Sequence, residues 1–207
     1  MKLKMLILIL LSFNAIVYAQ DSLTIASIKH DHEQISTITT KFTELQYHKS
    51  NRTTDELQGK IYFDAIGRLA MIYTEPASDY TIFDGTNLTM RHNGRKSHSD
   101  TKKKAHLAQQ RNVLINSMNG DIDAVCDEIN ADIKTKKDKQ YHVYILTRRK
   151  DSKTKKHDIK RIELRYDKHT SMLVYLSITE ISGNTTTYAM QHPQINSPLP
   201  QTVFEKE

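Results

Sequence analysis

Short runs of residues that alternate apolar and polar, each ended by a turn signal, constrain this chain more than any other feature. Leu57, Gly59, Ile61 and Phe63 alternate with Gln58, Lys60, Tyr62 and Asp64, and Leu69, Met71 and Tyr73 repeat the pattern after Gly67 until Pro76 stops it. That period of two belongs to a strand with one face buried. Asp84-Gly85 and Asn93-Gly94 separate Tyr80–Phe83, Asn87–His92 and Arg95–Ser99. Such dipeptides mark hairpins because tight turns need positive φ at central positions. With Phe42–His48 and later runs at about 130–136, 141–148, 159–166, 172–181 and 185–190, the chain carries roughly eleven expected strands.

The alternation is interrupted twice. Ile25, Ile28, Ile35 and Ile38 are spaced for one apolar helix face over Ser22 to about Thr39, with Asp21 or Ser22 as N-cap. In the middle, Leu107, Leu114 and Met118 recur at helical spacing, Asn119-Gly120 closes the helix, and Asp121 opens a second through Ala124, Val125 and Ile129. Apart from this insertion every connection is short, so an antiparallel meander is the economical topology. Accumulated twist curls so long a sheet, and its concave face needs a cover. The pattern therefore predicts a mainly β (α+β) fold: an open, half-closed antiparallel β-barrel with a lid of two or three helices and a hollow for an apolar guest.

The first nineteen residues, MKLKMLILILLSFNAIVYA, read as a cleavable signal peptide. Lys2 and Lys4 precede the apolar run, and Val17 and Ala19 supply small residues at the cleavage site, so the mature single domain would span 20–207 from Gln20. Ser12, Asn14 and the shortness of the apolar core weigh against a membrane anchor. Export changes the meaning of the net charge of +6. The lysine clusters at Lys102–Lys104, Lys134–Lys139, Arg148–Lys150 and Lys153–Lys156 are expected on solvated turns and edge strands, where lysine discourages edge pairing. They add weak attraction to anionic membrane surfaces, and nucleic acid is not an expected partner.

Nothing in the sequence resembles a catalytic engine. The single cysteine, Cys126, rules out an intramolecular disulfide and any paired-cysteine metal site, and is expected as a small buried helix residue. Of the 10 histidines, His30 and His32 point about 200° apart on a helix, and the rest stand singly in strands or turns. Metal, cofactor and catalytic residues are all expected to be none, and binding is favoured over enzymatic chemistry.

The order of Leu57-Gln58-Gly59-Lys60-Ile61-Tyr62-Phe63, then Leu69–Tyr73 before Pro76, then Thr81-Ile82-Phe83-Asp84-Gly85-Thr86-Asn87-Leu88 resembles the LolA family of periplasmic lipoprotein carriers. The ending Asn196-Ser197-Pro198-Leu199-Pro200 with Phe204 is similar too. The resemblance implies a monomeric carrier whose lid shelters lipoprotein acyl chains. Such a carrier takes its cargo from an inner-membrane exporter and passes it to an outer-membrane acceptor. It further implies an inward-facing set: Leu69, Met71 and Tyr73, with Ile82 from the next strand, and Val113, Leu114 and Met118 from the lid. On that basis Leu69→Glu is expected to alter lipid binding while sparing the fold. The chain departs from the family where an Arg usually follows the Gly-bearing strand, since Ala65-Ile66 stand there, and Arg68 follows three residues later. A carrier of another amphiphile, such as a glycolipid or polyene lipid, and a lipid-free envelope docking protein are the alternatives.

Overall fold

The computed structural model describes residues 24–100, 105–150, 159–200 and 202–205. The expected signal peptide, the candidate caps Asp21 and Ser22, and the clusters Lys102–Lys104 and Lys153–Lys156 lie outside the described residues. Helix α1 covers residues 24–32. Six strands follow: β1 (Thr37–His48), β2 (Thr53–Asp64), β3 (Arg68–Glu75), β4 (Tyr80–Phe83), β5 (Asn87–His92) and β6 (Arg95–Asp100). A helical hairpin, α2 (Ala105–Met118) and α3 (Ile122–Ile129), leads to β7 (Ala131–Lys136), β8 (Tyr141–Arg148), β9 (Ile159–Asp167), β10 (Leu173–Glu180) and β11 (Thr185–Ile195).

All eleven strands form one antiparallel sheet in the order β6-β5-β4-β3-β2-β1-β11-β10-β9-β8-β7. The chain is thus two meanders, joined where β1 pairs with β11. A single meander would have left β1 and β11 at opposite edges. Instead β6 and β7 are the edges, the sheet stays open between them, and α2 and α3 connect them. Lys134 and Lys136 are exposed on edge strand β7, as edge protection requires. Laid flat at about 4.8 Å per strand, the sheet would be about 48 Å wide. Yet residues of β2, β3, β5, β8, β9 and β10 share one core with both helices, so the sheet is curled around them.

The first expected helix is corrected at its C-terminal end. It stops at residue 32, and β1 begins at Thr37 rather than Phe42. Thr37-Ile38-Thr39-Thr40 is a β-branched run that suits a strand. Ile38, Thr40 and Phe42 are buried in phase, and Ile38 sits between Phe63 and Ile195. Strand β11 likewise runs past Met190 to Ile195. Pro193 is tolerated because the β10 pairing ends at Ala189.

One half of the concave face is filled. Val113, Met118, Ile122, Val125 and Ile129 pack with Leu146, Ile162, Leu164 and Tyr166. The Tyr166 hydroxyl donates to the Ser117 carbonyl at 2.9 Å, tying β9 to α2. Helix α1 caps this end. Its His32 is only 5% exposed, donates through Nε2 to the Ser171 carbonyl at 2.8 Å and stands edge-on to Tyr166. A Cβ at Gly120, in the turn between α2 and α3, would come within 2.9 Å of the His32 ring, so the helices meet there without a side chain between them. Asp121 caps α3 as expected, its side chain accepting from the Ala124 amide at 3.1 Å.

A second, smaller cluster lies on the outer face of the sheet. Ala70, Tyr80 and Ile82 are covered by Val203 and Phe204 of the C-terminal segment. Arg68 bonds Asp64 and lies over the Phe204 ring at 4.5 Å, so it anchors this strap and reaches no helix of the concave side.

Candidate functional site

The other half of the concave face is hollow. Between α2 and strands β1–β5, β10 and β11 lies a cavity of about 400 Å³, within the range of small-molecule sites. Leu57, Met71, Phe83, Leu88, Leu114 and Ile178 supply its apolar wall. Exposed Arg91 and His92 from β5 lie at its rim, with Glu180 and Asn184 on the far side. The turn at Asn93-Gly94 adopts φ of 49° and 76°, as the dipeptide predicts, and brings β6 back along β5. Asp79, buried just before β4, holds that hairpin by accepting from the Asn93 amide at 3.0 Å and facing His92 at 3.3 Å.

Of the seven residues expected to face the hollow, Met71, Tyr73 and Leu114 line it. Leu69, Val113 and Met118 are on the concave side but inside the packed core, at 1%, 0% and 3% exposure. Ile82 is a correction: it faces the opposite side of the sheet. Directly paired residues share a face, and the β3–β4 register pairs Ile82 with Ala70, leaving Thr81 and Phe83 to point inward with Met71 and Leu69. Leu69→Glu would therefore bury a charge in solid core, and the expectation that it spares the fold is withdrawn.

The polar wall was not anticipated. Glu44 on β1 is 2% exposed. Its carboxylate accepts from the Tyr73 hydroxyl at 2.7 Å and from the Gln46 side-chain amide at 2.7 Å. Tyr188 on β11 hydrogen-bonds to it as well, and Thr81 hydrogen-bonds to Tyr73. Phe42 stands edge-on to Tyr73 with centroids 5.4 Å apart and fixes that ring. Burial pushes the Glu44 carboxyl above its ordinary value, even though Gln46, Tyr73 and Tyr188 favour its charged form. Burial, reinforced by the nearby Glu44 charge, pushes both tyrosines up as well, so they remain donors. The available signal was phase: Glu44 follows Thr40 and Phe42 at the same parity, placing an acid on an apolar face.

The single cysteine lies outside the cavity. Cys126 is half-buried, its thiol donates to the Ala131 carbonyl at 3.0 Å, and burial pushes its pKa up, the reverse of an activated nucleophile. Among the described residues, no group of three or more His, Cys, Asp or Glu is placed to hold a metal ion. The arrangement can bind: it pairs an apolar wall with a buried hydrogen-bonding acid.

Solved structures share this fold. An uncharacterized conserved protein from Thermus thermophilus superposes with a TM-score of 0.52 at 6% identity, over 90% of this chain and 93% of that one. The Pseudomonas aeruginosa MucA/MucB complex gives 0.50 at 10% identity, over 91% of this chain and 61% of that one. A LolA superfamily protein from Nitrosomonas europaea gives 0.43 at 13% identity, over 87% and 97%. No curated protein sequence matches this one. The model of the family described as "Outer membrane lipoprotein carrier protein LolA" matches residues 33–207, from the end of α1 through the C-terminal strap. With that match spanning the whole curled sheet together with α2 and α3, the chain belongs to the LolA family.

Proposed function

We propose that this protein is a periplasmic carrier that shelters the acyl chains of an amphiphile, lipoproteins foremost, between the inner and outer membranes. The observation that supports the reading is the half-filled concave face, where a cavity of about 400 Å³ with an apolar wall lies against helix α2. Each methylene taken out of water there contributes about 0.8 kcal/mol, so hydrocarbon is the guest the wall favours. No bond is made or broken in such transport. The carrier needs two states of similar free energy, with α2 over the hollow or displaced by the guest. The signal peptide over residues 1–19, release of a mature domain from Gln20, an inner-membrane exporter and an outer-membrane acceptor belong to the same reading, from the sequence and the family.

Carriage of another amphiphile is favoured by one observation. Where the family places an Arg, Ala65-Ile66 form an exposed turn, and Arg68 is engaged on the outer face with Asp64 and Phe204. Native mass spectrometry of the chain isolated from the periplasm tests the proposal. A bound acylated species is expected. Isolation free of any lipid, together with failure to bind alkyl probes, would support a docking protein instead.

A further inference from the structure

The cavity described above is not uniformly apolar: Arg91, His92 and Glu180 stand around its opening, and one acid, Glu44, is set deep. Glu44 is 2% exposed, whereas Arg91 and His92 at the rim are exposed. All the donors that meet its carboxylate are neutral: the Gln46 amide and the hydroxyls of Tyr73 and Tyr188. Among the described residues no Lys, Arg or His nitrogen lies within ion-pairing distance of it; His92 at the rim, itself facing Asp79, favours its charged form only as the smallest of the influences on it. A buried carboxylate without a cation is costly, and neutral donors offset only part of that cost. A cation from the guest would offset the remainder through a charge-assisted bond, about twice as strong as a neutral one.

We infer that the guest of this cavity carries an ammonium group on its polar end and that Glu44 is the residue that selects it. This rests on the carrier reading. The ammonium sits among the Glu44, Tyr73 and Tyr188 oxygens, and the hydrocarbon runs along Leu57, Met71, Phe83 and Leu114. The same carboxylate repels a fatty acid or any head group that brings a second anion to that depth. Selection is therefore by charge sign at one end of an otherwise tolerant apolar slot.

The test uses the delipidated mature chain near neutral pH, with dodecylamine, dodecanol and dodecanoate each displacing an uncharged hydrophobic dye. Wild type is expected to bind dodecylammonium at least about tenfold more tightly than dodecanoate, with dodecanol between them. In Glu44→Gln, which keeps shape and hydrogen bonding, that gap is expected to close to within about twofold while dodecanol affinity holds. Glu56→Gln removes a carboxylate from the exposed side of β2, away from the cavity, and is expected to keep the preference, while a cooperative urea transition in Glu44→Gln guards against misfolding of that variant. Equal affinities for all three ligands in wild type, a preference for dodecanoate, or an intact ammonium preference in Glu44→Gln would overturn the inference and leave the carrier reading standing. Failure of all three to bind would overturn both.

Discussion

Replacing Gly59 by alanine sets two opposing effects against each other, and the structure decides the sign. Gly59 lies on β2 opposite Tyr73, next to an irregularity where the register jumps from Glu75 to Tyr73. Its φ is not in the left-handed region, so alanine can adopt the backbone, and the reduced freedom of the unfolded chain would favour it by about 0.4–1 kcal/mol. Against this, a Cβ at Gly59 would stand 2.2 Å from the Ile72 carbonyl oxygen and 2.9 Å from the Tyr73 Cα, where ordinary contact begins at 3.4 Å. Both obstacles are backbone atoms, which cannot rotate aside, so β2 and β3 must separate locally. Overpacking of this kind costs about 1–3 kcal/mol. The net expectation is destabilisation by about 1–2 kcal/mol, read in urea unfolding as a midpoint lowered by roughly 0.5–1 M at a slope of about 2 kcal/mol per molar. Separation at this point also moves Tyr73, whose hydroxyl is 2.7 Å from Glu44, so alkyl-ligand affinity should fall as well. An unchanged or raised midpoint would refute the claim that strand contact at Gly59 dictates glycine.

Leu69 and Leu114 separate packed core from cavity wall. Leu69→Ala is expected to cost about 3–5 kcal/mol, and Leu69→Glu to abolish cooperative unfolding, whereas Leu114→Ala at the hollow should cost less and change alkyl-ligand affinity, all read by thermal melts and dye titration. The raised pKa of Glu44 fixes a pH dependence. Its folded-state value exceeds its unfolded one, so ionisation opposes folding, and stability relative to Glu44→Gln should fall as pH rises from the ordinary glutamate pKa through the raised one. Denaturant titrations of both proteins across that window check this, and an opposite slope would contradict it. Phe204→Ala should release the C-terminal strap from the outer face, lowering stability by about 1–2 kcal/mol and exposing Tyr80 and Ile82 to an apolar dye.

Much of the fold is legible residue by residue because strand parity and turn chemistry are local. The alternation of Leu57, Gly59, Ile61 and Phe63 marks the buried face of β2 without any knowledge of its neighbours. Asn93-Gly94 and the cap at Asp121 likewise depend on a few consecutive residues. The site is less legible. Met71, Tyr73 and Leu114 have the right parity or helix face, yet so do Leu69, Val113 and Met118, and periodicity does not separate a cavity wall from solid core. Ile82 fails for a related reason: its face depends on the β3–β4 register, which the residues of β4 alone do not specify.

By itself the sequence determines the eleven strand segments, the helical interruption and the family, each encoded in neighbouring residues or their order. Only the tertiary structure decides that β1 joins β11 at the middle of the sheet, that α1 and α3 fill one end of the curl while the other stays hollow, and that Glu44 is buried among tyrosines from β3 and β11. Those outcomes depend on pairings between residues far apart in the chain, 29 positions for Glu44 and Tyr73 and more than a hundred for β1 and β11, and on how tightly a twisted sheet closes around two short helices. Local alternation carries no information about either.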